Sequence, residues 1–542
     1  MGIPSYYRTL IQRIPHAIQR KAPTGVNTPK TLVVDMNCMI YHVLKEPKMM
    51  ATPYPGEVGK LAWERTLQSE VCSYLTHIWK SAGSPSKTYI ALDGVVPYAK
   101  IKQQRFRRFK GGAEPQGASG GPGDSDSGAS DGVWGDAFGT QWDKNAITPG
   151  TQFMASMGNS LREAGKAHKW IISDTDEPGE GEHKVLQWLL KEPLIKGSVI
   201  VYGLDADLIL LCLIAGDKLG PEYPIYLLRE AMAFGKLVRT ETNVELCFFQ
   251  ISILNESLQK EKPWTREQFY DYIFGMSFCG NDFLPTGLSL RIRDEGHSIL
   301  LSGLHDLWAN ALHLVRIESD GKIRPNAEGL LRFAQWISKQ EERLIVAMIR
   351  RKMTARLGED EAENLPLREQ AERHLVDEVG QGQIVLRNDW QSTYAKMALG
   401  EDSVEQRKTR VQDFWKGWCW ILDYYQGLPV DLEWVYPAGY PPTWKDLISF
   451  FELPETNAWE SRVPLKPQEQ LALVLPMSSW GLMLKTPFRD LPTRMPQMWP
   501  QGFHLETFGK RFGWECEPMI PMLTPGRLRY EIGCAARPKD SI

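Results

Sequence analysis

The sequence VIVYGLDADLILL, residues 199–211, decides the fold, because it joins a buried strand to two acidic side chains. Its apolar run is nearly continuous and is interrupted by Asp205 and Asp207. A short apolar run of this kind is typical of a strand buried on both faces of a parallel sheet. The stretch 198–205 is therefore predicted to be a strand with acids at its carboxyl end, and two like charges there need a compensating partner.

Three similar runs occur earlier in the chain. They are TLVVD (31–35), TYIALDG (88–94) and KWIISD (169–174). Each is followed by a helix-like pattern, as in HKVLQWLLK from His183. Strands that alternate with helices in this way predict an α/β fold with a mostly parallel central sheet and flanking helices.

Composition divides the chain into three parts. An α/β core is predicted for residues 1–110 and 141–290. Residues 111–140 are rich in Gly, Ser and Asp and poor in apolar residues, which predicts a flexible insertion. Residues 291–542 have a helical and then aromatic-rich pattern, so we expect a largely helical region that packs on the core and completes its pocket.

Bulk properties exclude several protein classes. The chain has 542 residues, 42% apolar content and a net charge of −3, so global charge favours no polyanionic partner. No apolar stretch approaches the ~20 residues of a membrane span, and no membrane association is expected. Eight cysteines without a CxxC pair predict neither a disulfide framework nor a zinc ribbon. The N-terminus does not resemble a signal peptide, and a cytoplasmic protein is expected.

Acidic side chains follow the predicted strands at the edge where open α/β sheets bind ligands. They are Asp35, Asp93, Asp205 and Asp207, together with Glu180 and Glu182 in the turn DEPGEGEHK. Two unit charges ~4 Å apart repel by ~4 kcal/mol at an effective dielectric of ~20, so their convergence predicts bound cations. Carboxylates are typical ligands of Mg²⁺, for which Mn²⁺ can substitute. This number of acids favours two ions ~4 Å apart, an arrangement that catalyses the hydrolysis of phosphodiesters. The alternative is that single aspartates cap helices.

A basic helix is predicted directly after Asp93, in GVVPYAKIKQQRFRRFKGG (94–112). At 100° per residue one face carries cations and amide donors: Lys100, Gln104, Arg107 and Arg108. Arginine and lysine are the usual ligands of phosphate oxygens, which predicts a phosphate site beside the acids. The alternative is a solvated basic face.

Several motifs at these separations together resemble one enzyme family. They are MGIPSYYR, VVDMN, ALDGVVPYAKIKQQRFRRF, AITPGTQFM, EPGEGEHK, YGLDADLILL, GNDFLP, WCWILDYYQG and LKPQEQLALVLP. The sequence is similar to the XRN family of 5′-to-3′ exoribonucleases, in the flap-endonuclease superfamily, over nearly the whole chain. The resemblance implies seven metal-binding acids, namely the six above and Asp282 of GNDFLP. It also implies that Lys100, Gln104, Arg107 and Arg108 form a pocket for a 5′-monophosphate.

The resemblance further implies a substrate and two stacking residues. The substrate would be single-stranded RNA with a 5′-monophosphate, degraded to mononucleotides. Tyr41, where the family commonly has a histidine, and Trp420 are expected to stack on bases, with Trp434 as the alternative to Trp420. We expect a monomer, and the sequence specifies no protein partner. Two other functions stay open: a flap-type DNA nuclease with the same core, and an RNA-binding protein that no longer cleaves.

Overall fold

The structure is a computed structural model that describes residues 3, 5–112, 141–233, 236–239, 244–259, 263–380, 382–400, 403–455, 459 and 462–535. Most of the predicted flexible insertion, residues 113–140, therefore lies outside the described residues. Residues 111 and 112 form the end of a helix.

A mixed, mostly parallel sheet forms the centre of the N-terminal half. The strands up to residue 250 are β1 (Ile18–Gln19), β2 (Pro29–Asp35), β3 (Lys87–Ala91), β4 (Ile171–Ser173), β5 (Ser198–Tyr202), β6 (Ile225–Glu230), β7 (Met232–Ala233), β8 (Lys236–Leu237) and β9 (Leu246–Gln250). In the described part of the chain, seven of them form one sheet in the order β1-β9-β6-β5-β2-β3-β4. Strands β6, β5, β2, β3 and β4 run parallel, whereas β9 and β1 add an antiparallel edge.

Ten α-helices precede residue 290 among the described residues. They are α1 (Tyr6–Arg13), α2 (Asn37–Leu44), α3 (Pro47–Met50), α4 (Lys60–Ser81), α5 (Tyr98–Gly112), α6 (Gln152–Gly165), α7 (Gly181–Lys191), α8 (Leu208–Leu219), α9 (Ile251–Gln259) and α10 (Arg266–Gly275).

The central strands have core on both faces, as their unbroken apolar runs predict. Val33 of β2 and Val201 of β5 pack into one cluster with α7 and α8. Val34 and Ile200, the neighbouring residues, pack into a second cluster with α2, α4 and α6. Successive side chains thus alternate between the two helical layers. The predicted fold class is confirmed.

The C-terminal region is helical with small two-stranded sheets. Its helices are α11 (Gly296–Ala309), α12 (Ala327–Met353), α13 (Leu365–Glu369), α14 (Trp390–Tyr394), α15 (Val404–Tyr425), α16 (Trp444–Ser449), α17 (Pro467–Val474), α18 (Leu491–Arg494) and α19 (Pro525–Ala535). Its strands are β10 (Val315–Ile317), β11 (Ile323–Pro325), β12 (Val376–Val379), β13 (Gln383–Leu386), β14 (Leu505–Glu506) and β15 (Glu517–Pro518). No helix in the described residues is long and apolar enough to cross a bilayer.

Two C-terminal helices pack directly on the elements that carry the predicted site. Trp418 and Trp420 of α15 are buried in the same cluster as α7 and α8. Leu471 of α17 is buried with Ile101 and Phe109 of α5. The C-terminal region therefore fixes α5 and α7 in place.

Candidate active site

The carboxyl ends of β2, β3 and β5 lie side by side at one edge of the sheet. Asp35, the last residue of β2, pairs with Ala91, the last residue of β3. The preceding residue of β2 pairs with Tyr202, the last residue of β5. The segments that carry Asp93 and Asp205 therefore leave the sheet beside Asp35, and all three acids lie at one sheet edge.

Two groups hold Asp93 in place. Asn37 Nδ2 donates to Asp93 Oδ2 (2.9 Å), and the Asp93 backbone N–H donates to Asn37 Oδ1 (3.2 Å). The Gly181 N–H, at the start of α7, donates to Asp93 Oδ1 (2.7 Å). A side chain at position 181 would collide with the Asp35 carboxylate, so glycine permits this close approach.

Glu180 and Glu182 reach the same edge from the start of α7. Glu180 precedes the helix, and its Oε1 accepts a hydrogen bond from the Tyr424 hydroxyl of α15 (2.8 Å). Glu182 lies in the first turn rather than in the preceding loop, and only 4% of it is exposed. Sequence reasoning missed Tyr424, which helps to orient Glu180.

Lys100 of α5 lies among the acids. Its Nζ is 2.7 Å from Glu180 Oε2 and 2.5 Å from Asp282 Oδ2. Gln103 Nε2 of the same helix donates to Asp282 Oδ1 (2.7 Å). The helix therefore joins Asp282, which is distant in sequence, to the acids at the sheet edge.

Burial and mutual repulsion raise the pKa of several of these carboxyl groups. Burial is the main cause for Asp35, followed by repulsion from Asp93 and Asp205. Burial and then Asp207 raise the pKa of Glu182, and burial and then Asp282 raise that of Asp207 to about 7. Burial and repulsion thus disfavour the ionised forms of these groups, and additional cations would favour them.

Burial and the neighbouring acids act in opposite directions on the pKa of Lys100. Burial disfavours its charge, but Asp282 and Glu180 outweigh burial and raise its pKa well above the usual value. One ammonium is thus fixed in the charged state, yet the acids around it outnumber it.

Among the described residues, two groups of ligand atoms are close enough to share a metal ion. One is Glu182, Asp205 and Asp207; the other is Glu180, Glu182 and His183, and within each group the ligand atoms lie within 4.8 Å of one another. Glu182 Oε2 and Asp207 Oδ1 are buried and have no hydrogen-bond partner in the described part of the chain. Buried carboxylate oxygens without donors fit divalent cations.

The predicted phosphate ligands on α5 differ in their surroundings. Arg108 is 7% exposed, its Nη1 has no hydrogen-bond partner among the described residues, and burial lowers its pKa to about 10. Arg107 is half-buried. Gln104 is buried and accepts a hydrogen bond from Gln470 of α17 (3.3 Å). Lys100 thus contacts the acids, whereas Arg108 has a guanidinium nitrogen without a partner among the described residues.

The two predicted stacking residues have different environments. Tyr41 of α2 is half-buried. Trp420 is fully buried, with its ring 4.7 Å from that of Tyr424 and 5.3 Å from that of Trp434. In this structure its ring is covered by these two side chains, and the stacking of Trp420 on a base stays a prediction. The alternative, Trp434, is only 7% exposed.

Two family models match the chain, and both describe the same family. The model of the XRN 5′-3′ exonuclease N-terminus matches residues 1–231, which include six of the seven acids and the basic helix. The model of the Xrn1 helical domain matches residues 334–534. The chain belongs to the XRN family.

Known relatives align with nearly all of this XRN chain. It is 25% identical to 5′-3′ exoribonuclease 2 of Arabidopsis thaliana, over 97% of the chain and 66% of that relative. It is 24% identical to 5′-3′ exoribonuclease 1 of Saccharomyces cerevisiae, over 97% of the chain and 43% of that relative. Against human 5′-3′ exoribonuclease 1 it is 26% identical, over 97% of the chain and 34% of the relative. The XRN chain thus spans only part of the length of these proteins.

Proposed function

We propose that this chain is a metal-dependent 5′-to-3′ exoribonuclease. It degrades single-stranded RNA that carries a 5′-monophosphate and releases mononucleotides. The observation that carries the proposal is the group Glu182, Asp205 and Asp207, in which two buried carboxylate oxygens lack donors among the described residues. This group lies at the sheet edge beside which the basic helix α5 packs.

The acids at the sheet edge would hold two Mg²⁺ ions, with Mn²⁺ as a substitute. The residues are Asp35, Asp93, Glu180, Glu182, Asp205, Asp207 and Asp282. When bound there, divalent ions supply a nucleophile at neutral pH and neutralise charge on the leaving oxygen. Asn37 and the Gly181 N–H orient Asp93, and Tyr424 orients Glu180, so the ligand set is held by neighbouring side chains and backbone.

The basic face of α5 would bind the 5′-phosphate. Arg107 and Arg108 present guanidinium groups that match phosphate oxygens in pairs. Gln104 adds an amide, and Lys100 joins the phosphate site to the acids through Glu180 and Asp282. A phosphate anchored on this helix places the first phosphodiester next to the acids, because both sites share Lys100. Tyr41 is proposed to stack on a base near the 5′ end.

A substrate panel tests this function. RNAs of one sequence with a 5′-monophosphate, a 5′-triphosphate or a 5′-hydroxyl are incubated with Mg²⁺ and the full chain. We expect rapid release of mononucleotides from the monophosphate RNA alone. Equal rates on all three would contradict the phosphate pocket. Internal cuts in matched DNA flaps would favour a flap nuclease, and no cleavage with Mg²⁺ or Mn²⁺ would favour an RNA-binding protein.

A pair of variants separates catalysis from folding. Asp207→Ala should lower turnover at least about 100-fold while RNA binding persists, since a metal ligand should matter no less than the groups that orient ligands. Glu163→Gln is the matched control, because Glu163 is an exposed acid of α6. An Asp207→Ala protein with the wild-type rate would contradict the assignment.

The monomeric state and the cytoplasmic location stay predictions. We propose that the chain acts as a monomer, because each proposed ligand comes from the same chain. Light scattering of the purified protein tests this, and a dimer at micromolar concentration would contradict it.

A further inference from the structure

His183 of α7 has an unusual environment. Only 2% of the residue is exposed, and its ring lies over that of Tyr424 with centroids 3.8 Å apart. Neither ring nitrogen has a hydrogen-bond partner among the described residues. A buried polar group without a partner destabilises a protein. Packing against Tyr424 explains the position of the ring, but not its two unpaired nitrogens.

Two carboxylates lie beside these nitrogens. One nitrogen of His183, one oxygen of Glu180 and one oxygen of Glu182 all lie within 4.8 Å of one another. Ligands about 2.1 Å from one octahedral ion are about 3 Å apart when adjacent and about 4.2 Å apart when opposite. The three atoms are therefore near the spacing that a single ion requires.

The oxygens of Glu180 and Glu182 can still accept bonds from an ion. Glu182 Oε2 has no hydrogen-bond partner in the described part of the chain. The Glu180 oxygens contact Lys100 and the Tyr424 hydroxyl, but each carboxylate oxygen accepts two bonds. Glu182 also belongs to the all-oxygen group with Asp205 and Asp207. Two neighbouring ion positions would thus share Glu182.

We propose that His183 is a nitrogen ligand, which makes the position on Glu180 and Glu182 a mixed site that prefers Mn²⁺ to Mg²⁺. Mg²⁺ prefers oxygen ligands, whereas Mn²⁺, as a first-row transition ion, also accepts an imidazole nitrogen, although more weakly than the later ions of that row. The position on Glu182, Asp205 and Asp207 offers only oxygens and accepts either ion. This inference rests on the metal dependence proposed above, and it adds a ligand and a metal preference to it.

Pulsed electron paramagnetic resonance of the Mn²⁺-loaded full chain tests the proposal directly. A nitrogen bound to Mn²⁺ modulates the electron spin echo, and the pattern changes when histidine is labelled with ¹⁵N. We expect this modulation in the wild type. Bound Mn²⁺ without nitrogen modulation would overturn the proposal even if every variant misfolded.

Variants identify the nitrogen. His183→Phe keeps a ring over Tyr424 but removes both nitrogens, and His183→Gln replaces them with an amide. Both should lose the modulation and weaken one Mn²⁺ site in titration calorimetry by at least about tenfold. The loss of Mg²⁺ affinity should be smaller. His16→Gln, at an exposed position of the chain, is the control and should change neither readout.

The outcomes separate this inference from the proposed function. If Mn²⁺ and Mg²⁺ do not bind at all, the metal-dependent function fails. If both bind, and His183→Phe keeps the modulation and the affinities, only the ligand role of His183 fails. In that case the histidine is a core residue packed on Tyr424.

Discussion

Asp207 combines deep burial with a neighbouring acid, and both disfavour its ionised form. Its pKa is raised to about 7 by burial and by Asp282, against an ordinary value of 3.8. The folded state therefore retains a proton that the unfolded state releases between about pH 4 and pH 7. As pH rises through this window, the contribution of Asp207 to stability falls, and it is constant above and below it.

We expect this effect in thermal unfolding with EDTA. Asp207→Asn should gain stability relative to the wild type as pH rises from 5 to 8, by up to several kcal/mol, because asparagine has no proton to release. The comparison of the two proteins removes the contributions of other titrating groups that both share. Saturating Mg²⁺ should abolish or reverse the difference, since the ions compensate the charge. A difference independent of pH would contradict the raised pKa.

Lys100 compensates two buried acids, so its removal should be costly. Lys100→Met leaves Glu180 and Asp282 without their common cation, and we expect a loss of about 3–5 kcal/mol in the free energy of unfolding without metal. Urea denaturation measures this, and Mg²⁺ should restore part of the loss. Lys196→Met removes an exposed ion pair with Glu222 and should change stability far less, because solvent screens exposed pairs. Equal effects of the two substitutions would contradict this account.

At the scale of elements, α5 has two roles that alternate along its sequence. Arg105 is fully buried, and its guanidinium donates to the Leu473 and Pro521 carbonyls, so it fixes the helix to the C-terminal region. Arg107 is half-buried, and Arg108 Nη1 lacks a partner among the described residues. The same residue type thus serves packing at one position and, as proposed, phosphate binding at the next two.

Arg107→Gln should weaken recognition of the RNA end. We expect kcat/KM for 5′-monophosphate RNA to fall about tenfold or more, because a hydrogen bond to a charged group is lost. The rate on 5′-hydroxyl RNA should hardly change. Lys102→Gln is the control on the same helix, since Lys102 donates to the Tyr436 and Ala438 carbonyls. A proportional loss on both RNAs would contradict a phosphate role for Arg107.

The elements themselves were largely predictable from sequence. Apolar runs at 31–35 and 198–205 predicted β2 and β5, because strands buried on both faces have a continuous hydrophobic signal. The structure ends β5 at Tyr202, which leaves Asp205 beyond the strand. The antiparallel edge strands β9 and β1 were not predicted, since strand order depends on contacts between distant segments.

The acids of the site that lie at or just beyond the ends of strands were predictable from the sequence. Asp35 ends β2 and Asp93 follows the end of β3, and the register of the two strands places these ends side by side. The inward position of Lys100 was not predictable, because a helical wheel defines a face but not what packs against it. The burial of Trp420 was not predictable for the same reason, as it depends on Tyr424 and Trp434.

At the scale of the whole molecule, the two halves share one core. The cluster that contains Val201 and Leu208 also contains Trp418 and Leu447. The predicted core, residues 1–110 and 141–290, therefore depends on residues 291–542 for burial, and we propose that they fold together.

Calorimetry tests this shared core. We expect one unfolding transition whose calorimetric and van't Hoff enthalpies agree. A fragment of residues 1–290 should not fold, because it loses the helices that cover α5, α7 and α8. A soluble fragment with its own cooperative transition would contradict a shared core.

The most direct measurement of the central claim is anomalous diffraction from crystals of the full chain grown with Mn²⁺. We expect two peaks about 4 Å apart among Asp35, Glu182 and Asp207, the separation of ions in two-metal phosphodiester hydrolysis. Peaks elsewhere in the molecule, or no peak at this edge of the sheet, would contradict the account.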